Sequence, residues 1–258
     1  MTNISIVTAV RNCGENLGEA ILSVDSQFCE SREYVVIDGD SHDGTELVLA
    51  SNLDHIDILV SEPDEGIYDA LNKGIARSSG DVIGFLHADD VLADDTVLHE
   101  IREAFLDSDV EAVFGDLVYV DQQATSRIHR YWQEASYDVG RFHLGWMPPH
   151  PTVYIRKEVY EEFGGYRTDF SISADYEMMV RLMVKHRIRV KHIPKIMVKM
   201  RKGGKSNASW ANRRLANWED RQAWIVNGLK PPPFLRLTKP LRKLPQYWRR
   251  PPVSLGPD

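Results

Sequence analysis

Residues 61–90 read SEPDEGIYDALNKGIARSSGDVIGFLHADD and combine a turn, an amphipathic helix, an apolar strand and two adjacent carboxylates. A helix is predicted over Ile67–Ser78, because apolar residues recur there at intervals of four. The apolar run Val82–Leu86 predicts a buried strand, which leads directly into Asp89 and Asp90. Neighbouring carboxylates repel each other, so their position at the end of a buried strand indicates that they bind a positive charge.

The paired carboxylates suit a divalent cation. Oxygen-only ligands at a strand end, completed by water, favour Mg²⁺ or Mn²⁺ bridging to a substrate diphosphate. The alternative is that Asp89 and Asp90 simply begin a loop. For the next pair, Asp94 and Asp95, capping of a helix that runs to Asp107 is a sufficient explanation. The sequence alone leaves both interpretations of Asp89 and Asp90 open.

The rest of the first half also alternates between apolar runs and helical periods. Buried, non-alternating strands joined by helices are typical of a parallel sheet that is covered on both faces. We therefore predict an α/β fold with a mainly parallel central sheet and helices on both faces. The predicted strands are Ile4–Val10, Tyr34–Asp38, Ile56–Ser61 and Val82–Leu86, and the predicted helices lie near 18–27, after Asp43, over Ile67–Ser78 and between 94 and 107.

Ligands of such sheets bind outside the carboxyl ends of the strands. This rule places Asp38, Ser61–Glu62 and His87–Asp90 near one crevice, since each follows a predicted strand. In VIDGDSHDGT (36–45), Asp38 could accept hydrogen bonds from a nucleobase or a ribose. Ordinary turn chemistry is the alternative there, because Gly, Asp and Ser are common turn residues.

The second half is less regular. Strands are predicted over Ala112–Val120 and Pro151–Arg156, and a helix over Ser173–His186 with Ser173 as its N-cap. Asp175, in the first turn of that helix, is a candidate general base, although favourable interaction with the helix dipole would also explain it. From residue 231 onward the chain carries 8 of its 13 prolines, which argues against a second folded domain.

Charge is divided unevenly along the 258 residues. Residues 199–258 hold 14 Lys and Arg against 3 Asp and Glu, although the whole chain has a net charge of −7. A basic tail favours an anionic partner, such as an anionic membrane surface. No nucleic acid is expected, because the tail does not place aromatic and phosphate-binding residues on a folded surface.

Composition and motifs exclude several classes. Two cysteines, Cys13 and Cys29, are too few for a disulfide framework or a cysteine-based metal site, and we expect a reducing, cytoplasmic location. The N-terminus reads as a strand rather than a signal peptide. No G-x-G-x-x-G follows the first strand, which argues against a nicotinamide dehydrogenase. Gly203-Gly204-Lys205-Ser206 could wrap a diphosphate, and a flexible basic loop is the alternative.

The order of these motifs is more specific than any one of them. A strand ending in VRN is followed by VIDGDSHDGT, GIYDALNKG, IGFLHADD, PPHPTVYIRKEVYEEFGGYRTDF and ISADYEMMVRL. This series, over about residues 3–206, resembles the bacterial family 2 glycosyltransferases of the GT-A nucleotide-diphospho-sugar transferase fold. The likeness is to the branch that builds exopolysaccharide, colanic-acid-type or O-antigen repeat units.

The resemblance implies a role for each matching residue. Asp175 would be the catalytic base, and Asp89 and Asp90 would hold Mg²⁺ or Mn²⁺. Acceptor binding would involve His150 and Tyr176. The donor nucleotide would contact Thr8, Val10, Arg11, Asn12, Asp38, Asn72, Lys73, His87, Ala88 and Lys205.

Two positions depart from the family pattern. His87 stands where the family has the first carboxylate of its D-x-D metal motif, which puts metal affinity in doubt. A catalytically impaired nucleotide-binding or scaffolding protein of the same fold is therefore the alternative function. Arg167 stands where the family often has an acid, and Asp169 could substitute for it.

The resemblance also implies a function and a domain plan. We expect an inverting transfer of a sugar from a UDP-sugar, or alternatively a GDP-sugar, to a glycan or a polyprenyl-diphosphate-linked saccharide. Domain 1–215 would comprise a nucleotide-binding half, 1–110, and an acceptor-binding half, 111–215. The resemblance does not cover the basic, Pro-rich extension 216–258. Its charge predicts peripheral docking on the inner face of the plasma membrane through residues 231–258, and a solvated, disordered tail is the alternative.

Overall fold

The computed structural model describes residues 2–29, 31–203, 210–249 and residue 251. Lys205, for which donor binding is predicted, lies outside the described residues, as does most of the Gly203–Ser206 loop. No helix among the described residues is both long and apolar enough to cross a bilayer.

Within the described residues, nine strands form one sheet with the order β3-β2-β1-β4-β8-β6-β9-β5, and β7 pairs with β6 outside this path. The strands are β1 (Ile4–Val10), β2 (Arg32–Asp38), β3 (Ile58–Ser61), β4 (Val82–Phe85), β5 (Val91–Leu92), β6 (Ala112–Val120), β7 (Ile128–Trp132), β8 (Tyr154–Arg156) and β9 (Val190–Arg201).

The sheet is mixed rather than mainly parallel. Strands β1 to β4 are parallel, as predicted, because their helical crossovers return the chain to the same edge. Strand β8 then pairs antiparallel with both β4 and β6, and β7 returns beside β6 through a short connection. Because β8 is antiparallel to both of its neighbours, β6 runs in the same direction as β4. Strand β9 is parallel to β6 and therefore also runs in that direction.

Helices cover both faces of the sheet, as predicted. They are α1 (Leu17–Asp25), α2 (Thr45–Ser51), α3 (Ile67–Arg77), α4 (Val97–Ala104), α5 (Lys157–Phe163), α6 (Ala174–Met179), α7 (Trp210–Val226) and α8 (Leu235–Lys243). Short 3-10 helices lie at Leu53–His55, Val139–Leu144, His150–Thr152 and Leu244–Tyr247.

Side chains of β1 divide the core in two. Ile4 and Ile6 pack with α1 and α4 on one face, whereas Val7 packs with α3 and α6 on the other. This alternation follows from the period of two in a strand, and both faces are apolar because both are covered.

Two helix starts differ from the predictions. Helix α4 begins at Val97, and Asp94 instead accepts hydrogen bonds from the backbone N–H and hydroxyl of Thr96, at 2.9 and 2.8 Å. Ser173 precedes α6, but its hydroxyl does not cap the helix. Beyond Met179 the predicted long helix continues as a π-helix, Val180–Lys185.

The C-terminal segment packs onto the sheet domain. Helix α7 crosses the boundary that we predicted after residue 215, and it buries Ala223 and Trp224 in the same core as α6. Leu235 of α8 joins that core. The described part of the extension is therefore attached to the domain by apolar packing.

Candidate active site

The carboxyl ends of β1, β2, β3 and β4 meet at one edge of the sheet, and β6 and β9 end there too. This edge brings together Arg11, Asp38, Glu62 and the HADD segment, as the fold rule predicts. The N-terminal end of β8, with His150 just before it, reaches the same edge because β8 is antiparallel to β4.

Asp38 is buried and orders the turn after β2. One of its carboxylate oxygens accepts a hydrogen bond from the Ser41 hydroxyl at 2.5 Å. The other accepts from the Ser61 hydroxyl at 2.6 Å and from the Ser41 N–H at 3.3 Å. The structure thus supports the turn interpretation of this residue, and contact with a nucleotide stays a prediction.

Thr8 and Val10 do not face the crevice. The Thr8 hydroxyl is buried, donates to the carbonyl of Leu86 at 2.8 Å and lies 3.0 Å from the Tyr34 hydroxyl. The side chain of Val10 is part of the core. Burial of both side chains leaves only the backbone of Thr8 and Val10 for the donor, and that contact stays a prediction.

Arg11 and Asn12 are exposed at the crevice. The Arg11 guanidinium lies 3.5 Å from the Asp64 carboxylate. Asn12 has a positive φ of 49°, and its side-chain oxygen accepts a hydrogen bond from the N–H of His42 at 3.0 Å. Both residues are accessible to a donor nucleotide.

Asn72 and Lys73 are already occupied by protein partners. Asn72 donates to the carbonyl of Tyr166 and accepts from its N–H, both at 2.8 Å, so its amide joins two distant segments. The Lys73 ammonium contacts Glu62 at 3.0 Å and Asp69 at 3.4 Å, and the hydrogen bond to Glu62 is the main cause of its raised pKa. The amide of Asn72 thus has a structural role, its contact with the donor stays a prediction, and the charge of Lys73 is compensated locally.

The two carboxylates that follow β4 lie in different environments. Asp89 is partly exposed, and its carboxylate accepts no hydrogen bond from the described residues. Asp90 is fully buried: one oxygen accepts from the Arg201 N–H at 3.0 Å, and the other has no partner within the described part of the chain. Burial, followed by the charge of Asp89, raises the pKa of Asp90 well above its usual range. Of the two predicted metal ligands, only Asp89 therefore has an accessible carboxylate.

The described residues include no group of three or more His, Cys, Asp and Glu side chains that could hold a metal ion. The site fits a cation that takes most of its ligands from a substrate diphosphate and water, because Asp89 supplies a partly exposed carboxylate. The neighbouring Asp90 has a buried oxygen without a partner among the described residues. The buried side chain of Ala88 leaves only its backbone for the donor. Burial lowers the pKa of His87, and the charge of Asp89 opposes that shift.

Arg201, at the end of β9, holds the HADD segment in place. Its buried guanidinium donates to the carbonyl of Asp89 at 2.8 Å and to that of Gln122 at 3.0 Å, and it pairs with Glu19. Sequence reasoning missed this residue, because its partners lie far away along the chain.

Arg201→Met should lower the free energy of unfolding by about 2 kcal/mol, since two carbonyls would each lose a donor. Urea unfolding measures this change. The matched control is Arg189→Met, whose ion pairs to Asp109 and Glu111 lie on the surface and should contribute less than about 1 kcal/mol. Equal losses in both variants would contradict the role of Arg201.

An aromatic cluster connects the HADD segment with the region of α6. The His87 and His150 ring centroids are 6.0 Å apart, and the Tyr68 and Tyr166 rings stack at 5.7 Å. His150 Nε2 lies 2.6 Å from the Tyr166 hydroxyl, and burial lowers the pKa of His150 to about 3. His150 is thus a buried, neutral part of this cluster rather than an exposed acceptor ligand.

Asp175 lies at the start of α6, where its carboxylate accepts a hydrogen bond from the Tyr176 N–H at 2.7 Å. Burial raises the pKa of Asp175 to about 6, and the nearby ammonium of Lys239 opposes that shift. Tyr176 is buried and accepts from the Trp224 indole N–H at 3.0 Å. The expectation that Tyr176 binds the acceptor is therefore corrected: it packs α6 against α7.

Glu219 of α7 fixes the loop that leads into α6. Its buried carboxylate accepts hydrogen bonds from the backbone N–H groups of Ser171, Ile172 and Ser173, at 2.7 to 2.9 Å. Because Asp175 follows this loop directly, Glu219 sets the position of the candidate base.

A second cleft lies at the opposite edge of the sheet and has a volume of about 740 Å³. Its two cations, Arg156 and Lys157, already donate to backbone carbonyls, and its other charged residues are the acids Asp81, Glu158 and Glu161. This lining does not suit an anionic diphosphate.

A sequence model of glycosyl transferase family 2 matches residues 5–168, which is more than half of the chain. The chain belongs to glycosyl transferase family 2. An uncharacterized glycosyltransferase of Mycobacterium tuberculosis is 30% identical over 180 residues, which cover 69% of this chain and 68% of that protein. A PGL/p-HBAD biosynthesis glycosyltransferase of Mycobacterium bovis is 29% identical over the same shares. This chain is accordingly a glycosyltransferase.

Solved structures agree with this fold. The glycosyltransferase matches residues 1–349 of S. aureus TarS in complex with UDP, with a TM-score of 0.63 and 14% identity, over 84% of this chain and 65% of that one. It also matches the mannosyltransferase PcManGT of Pyrobaculum calidifontis in complex with GDP-Man and Mn²⁺, with a TM-score of 0.63 and 18% identity. This match covers 92% of this chain and 68% of that one. At such identities the likeness establishes the GT-A type of fold alone.

The family match ends at residue 168, so several residues of the glycosyltransferase site lie beyond it. Asp175 was found from the ADYE motif, whereas Arg201 and Glu219 became visible only in the structure. The adjacent acids at 219 and 220, in an otherwise basic segment, were the one available signal for Glu219.

Proposed function

We propose that this glycosyltransferase moves a sugar, with inversion of the anomeric carbon, from a nucleoside-diphosphate donor to a hydroxyl group of a glycan or lipid-linked saccharide. The observation that carries the proposal is Asp175, a partly buried carboxylate whose pKa is raised to about 6. A base with a pKa near the working pH is ionised in most molecules and still accepts a proton efficiently.

The acceptor hydroxyl would donate its proton to the carboxylate of Asp175 as its oxygen attacks the anomeric carbon. The bond from that carbon to the diphosphate oxygen breaks in the same step, and the nucleoside diphosphate leaves. A single displacement inverts the configuration. Glu219 would hold the loop before Asp175, so that the base keeps its direction toward the acceptor.

Arg11 and Asn12 would contact the donor, since both are exposed where the strands end. Asp89 would hold Mg²⁺ or Mn²⁺ together with the diphosphate, and the cation would supply positive charge to the leaving group. His87 would contribute its imidazole ring beside it. UDP is the favoured carrier and GDP the alternative. Solved structures of the same fold hold UDP in TarS, and GDP-Man with Mn²⁺ in PcManGT.

A role in bacterial surface polysaccharide synthesis, on the inner face of the plasma membrane, is the biological part of this proposal. The order of motifs supports it, because the series resembles the branch that builds surface repeat units. A relative named for PGL/p-HBAD biosynthesis is a further indication that the acceptor belongs to a biosynthetic glycoconjugate.

Calorimetric titration with UDP and GDP, each with Mn²⁺ and with EDTA, tests the donor site. We expect one nucleotide to bind with Mn²⁺ and to bind at least about tenfold more weakly with EDTA, or to the Asp89→Asn variant. Asp54→Asn, at an exposed site on the 3-10 helix after α2, is the matched control and should bind like wild type.

Binding of neither nucleotide under any of these conditions would refute the donor site. Binding without release of nucleoside diphosphate from any UDP- or GDP-sugar, across a panel of acceptors, would favour the catalytically impaired alternative.

A further inference from the structure

The segment 221–249, which comprises the end of α7, α8 and the 3-10 helix Leu244–Tyr247, has a two-sided construction. Residues 221–249 contain seven Lys and Arg and no Asp or Glu. Among the described cations, Arg221, Lys230 and Arg249 are exposed. A surface of this charge is complementary to anionic lipid headgroups.

The inner side of this segment is fixed to the domain. The Lys239 ammonium lies 2.6 Å from the Asp220 carboxylate and 3.5 Å from the centroid of the Tyr176 ring. Farther along, the Arg130 side chain donates to Gln246 at 2.6 Å. The segment therefore has a defined orientation, with Lys239 directed toward the helix that carries Asp175.

The same segment exposes large apolar side chains. Phe234 and Leu241 are 66% and 62% exposed, and Tyr247 and Trp248 are 60% and 76% exposed. At about 100° per residue, Leu241 projects opposite Lys239 around α8, and Phe234 immediately precedes that helix. We call the four side chains Phe234, Leu241, Tyr247 and Trp248 the outer face.

We propose that the outer face docks on an anionic lipid bilayer, with its aromatic and aliphatic side chains among the acyl chains and the surrounding cations at the headgroups. Trp and Tyr are well suited to this interface, because one end of each ring is apolar and the other polar. Neither charge nor apolar area alone is sufficient, and this segment combines both.

Docking in this orientation places the candidate base close to the bilayer. Helix α8 separates Phe234 and Leu241 of the outer face from Tyr176 by about one helix diameter, 10–12 Å. A saccharide linked to a membrane lipid would then present its hydroxyl groups at the height of Asp175. This last step rests on the proposed function, whereas the docking itself does not.

Co-sedimentation with vesicles tests the docking surface. The full chain is mixed with vesicles of pure phosphatidylcholine or of an equimolar mixture with phosphatidylglycerol, at low and high salt. We expect binding to the anionic vesicles only, weakened at least about tenfold by high salt, since exposed charges are screened. Combined Phe234→Ser, Leu241→Ser and Trp248→Ser should reduce the binding at least about tenfold.

The chain offers a matched control. Phe28, Leu47 and Leu106 are 68%, 69% and 66% exposed on other surfaces, and their combined change to Ser should leave vesicle binding unchanged. A second variant, Lys230→Glu with Arg249→Glu, tests the charge separately and should also weaken binding to anionic vesicles. It keeps the proposal testable if the apolar variant does not fold.

Several results would overturn the proposal. These are equal binding of wild type and both variants, equal binding to neutral and anionic vesicles, or no binding to either. Self-association that the apolar variant abolishes, without lipid binding, would show instead that the outer face joins two copies. Nucleotide titration of the same variants should match wild type, which separates failure of docking from failure of the donor site.

Discussion

Asp175→Asn is expected to lower kcat by about 10²–10⁴-fold, the usual contribution of a general base. The amide has the same shape as the carboxylate, and its oxygen can still accept the hydrogen bond from the Tyr176 N–H. The KM for the donor should therefore change little. Release of nucleoside diphosphate, measured with the donor identified by titration, gives both constants.

The pH profile gives an independent test of the same residue. Asp175 must be ionised to accept a proton, so wild-type kcat should fall as the pH drops below about 6. The residual activity of Asp175→Asn should lack this acidic limb. If kcat of the variant still fell below about pH 6, the group that titrates there would not be Asp175.

Although Asp175→Asn should lower kcat, it should not lower the stability of the protein above pH 6. Burial raises the pKa of Asp175 from about 4 to about 6, so the folded state binds the proton more tightly than the unfolded state. The resulting stabilisation is present below pH 4 and is lost as the pH rises through 6. Thermal unfolding at pH 8 should therefore find the variant at least as stable as wild type.

The control is Asp169→Asn, because Asp169 could substitute for the acid that the family often has at the position of Arg167. It lies on the surface and pairs with Arg167 at 2.6 Å, which lowers its pKa. We expect its substitution to change kcat less than about twofold, because an exposed pair contributes little. A large loss of kcat in Asp169→Asn, with normal kcat in Asp175→Asn, would show that Asp175 is not the catalytic base.

Local sequence patterns predicted the parallel half of the sheet and the edge where the site lies. The β-branched run of β1 and the four-residue spacing in α3 depend on neighbouring residues alone, so they are readable without a structure. The direction of β8 was not readable. It depends on which strands its three residues meet, and pairing between distant segments leaves no periodic signal.

The candidate site was predictable in its motifs and less so in its contacts. The ADYE and HADD motifs gave Asp175 and Asp89, but the same reasoning assigned ligand contacts to Thr8 and Tyr176, which the structure buries. A polar side chain at a strand end or in a helix can face the crevice or the core, and only packing decides between them. Glu219 acts on residues 46 to 48 positions away, beyond any local pattern.

Glu219→Ala is expected to destabilise the protein by at least about 3 kcal/mol, since three buried backbone N–H groups would each lose their acceptor. The same change would free the loop before α6, and Asp175 with it. We therefore expect kcat to fall at least about tenfold at temperatures where the variant is still folded, because misplacing a catalytic group is costly. Urea unfolding and steady-state kinetics measure the two effects.

Two further variants separate the role of the Glu219 carboxylate from that of its bulk. Glu219→Gln keeps one carbonyl oxygen and should fall between wild type and Glu219→Ala in both stability and kcat. Glu161→Ala, on the exposed side of α5, should stay within about 0.5 kcal/mol of wild type. If Glu219→Ala lost stability but kept full kcat, the loop would not position Asp175, because a purely structural role lowers stability without changing the turnover of the folded enzyme.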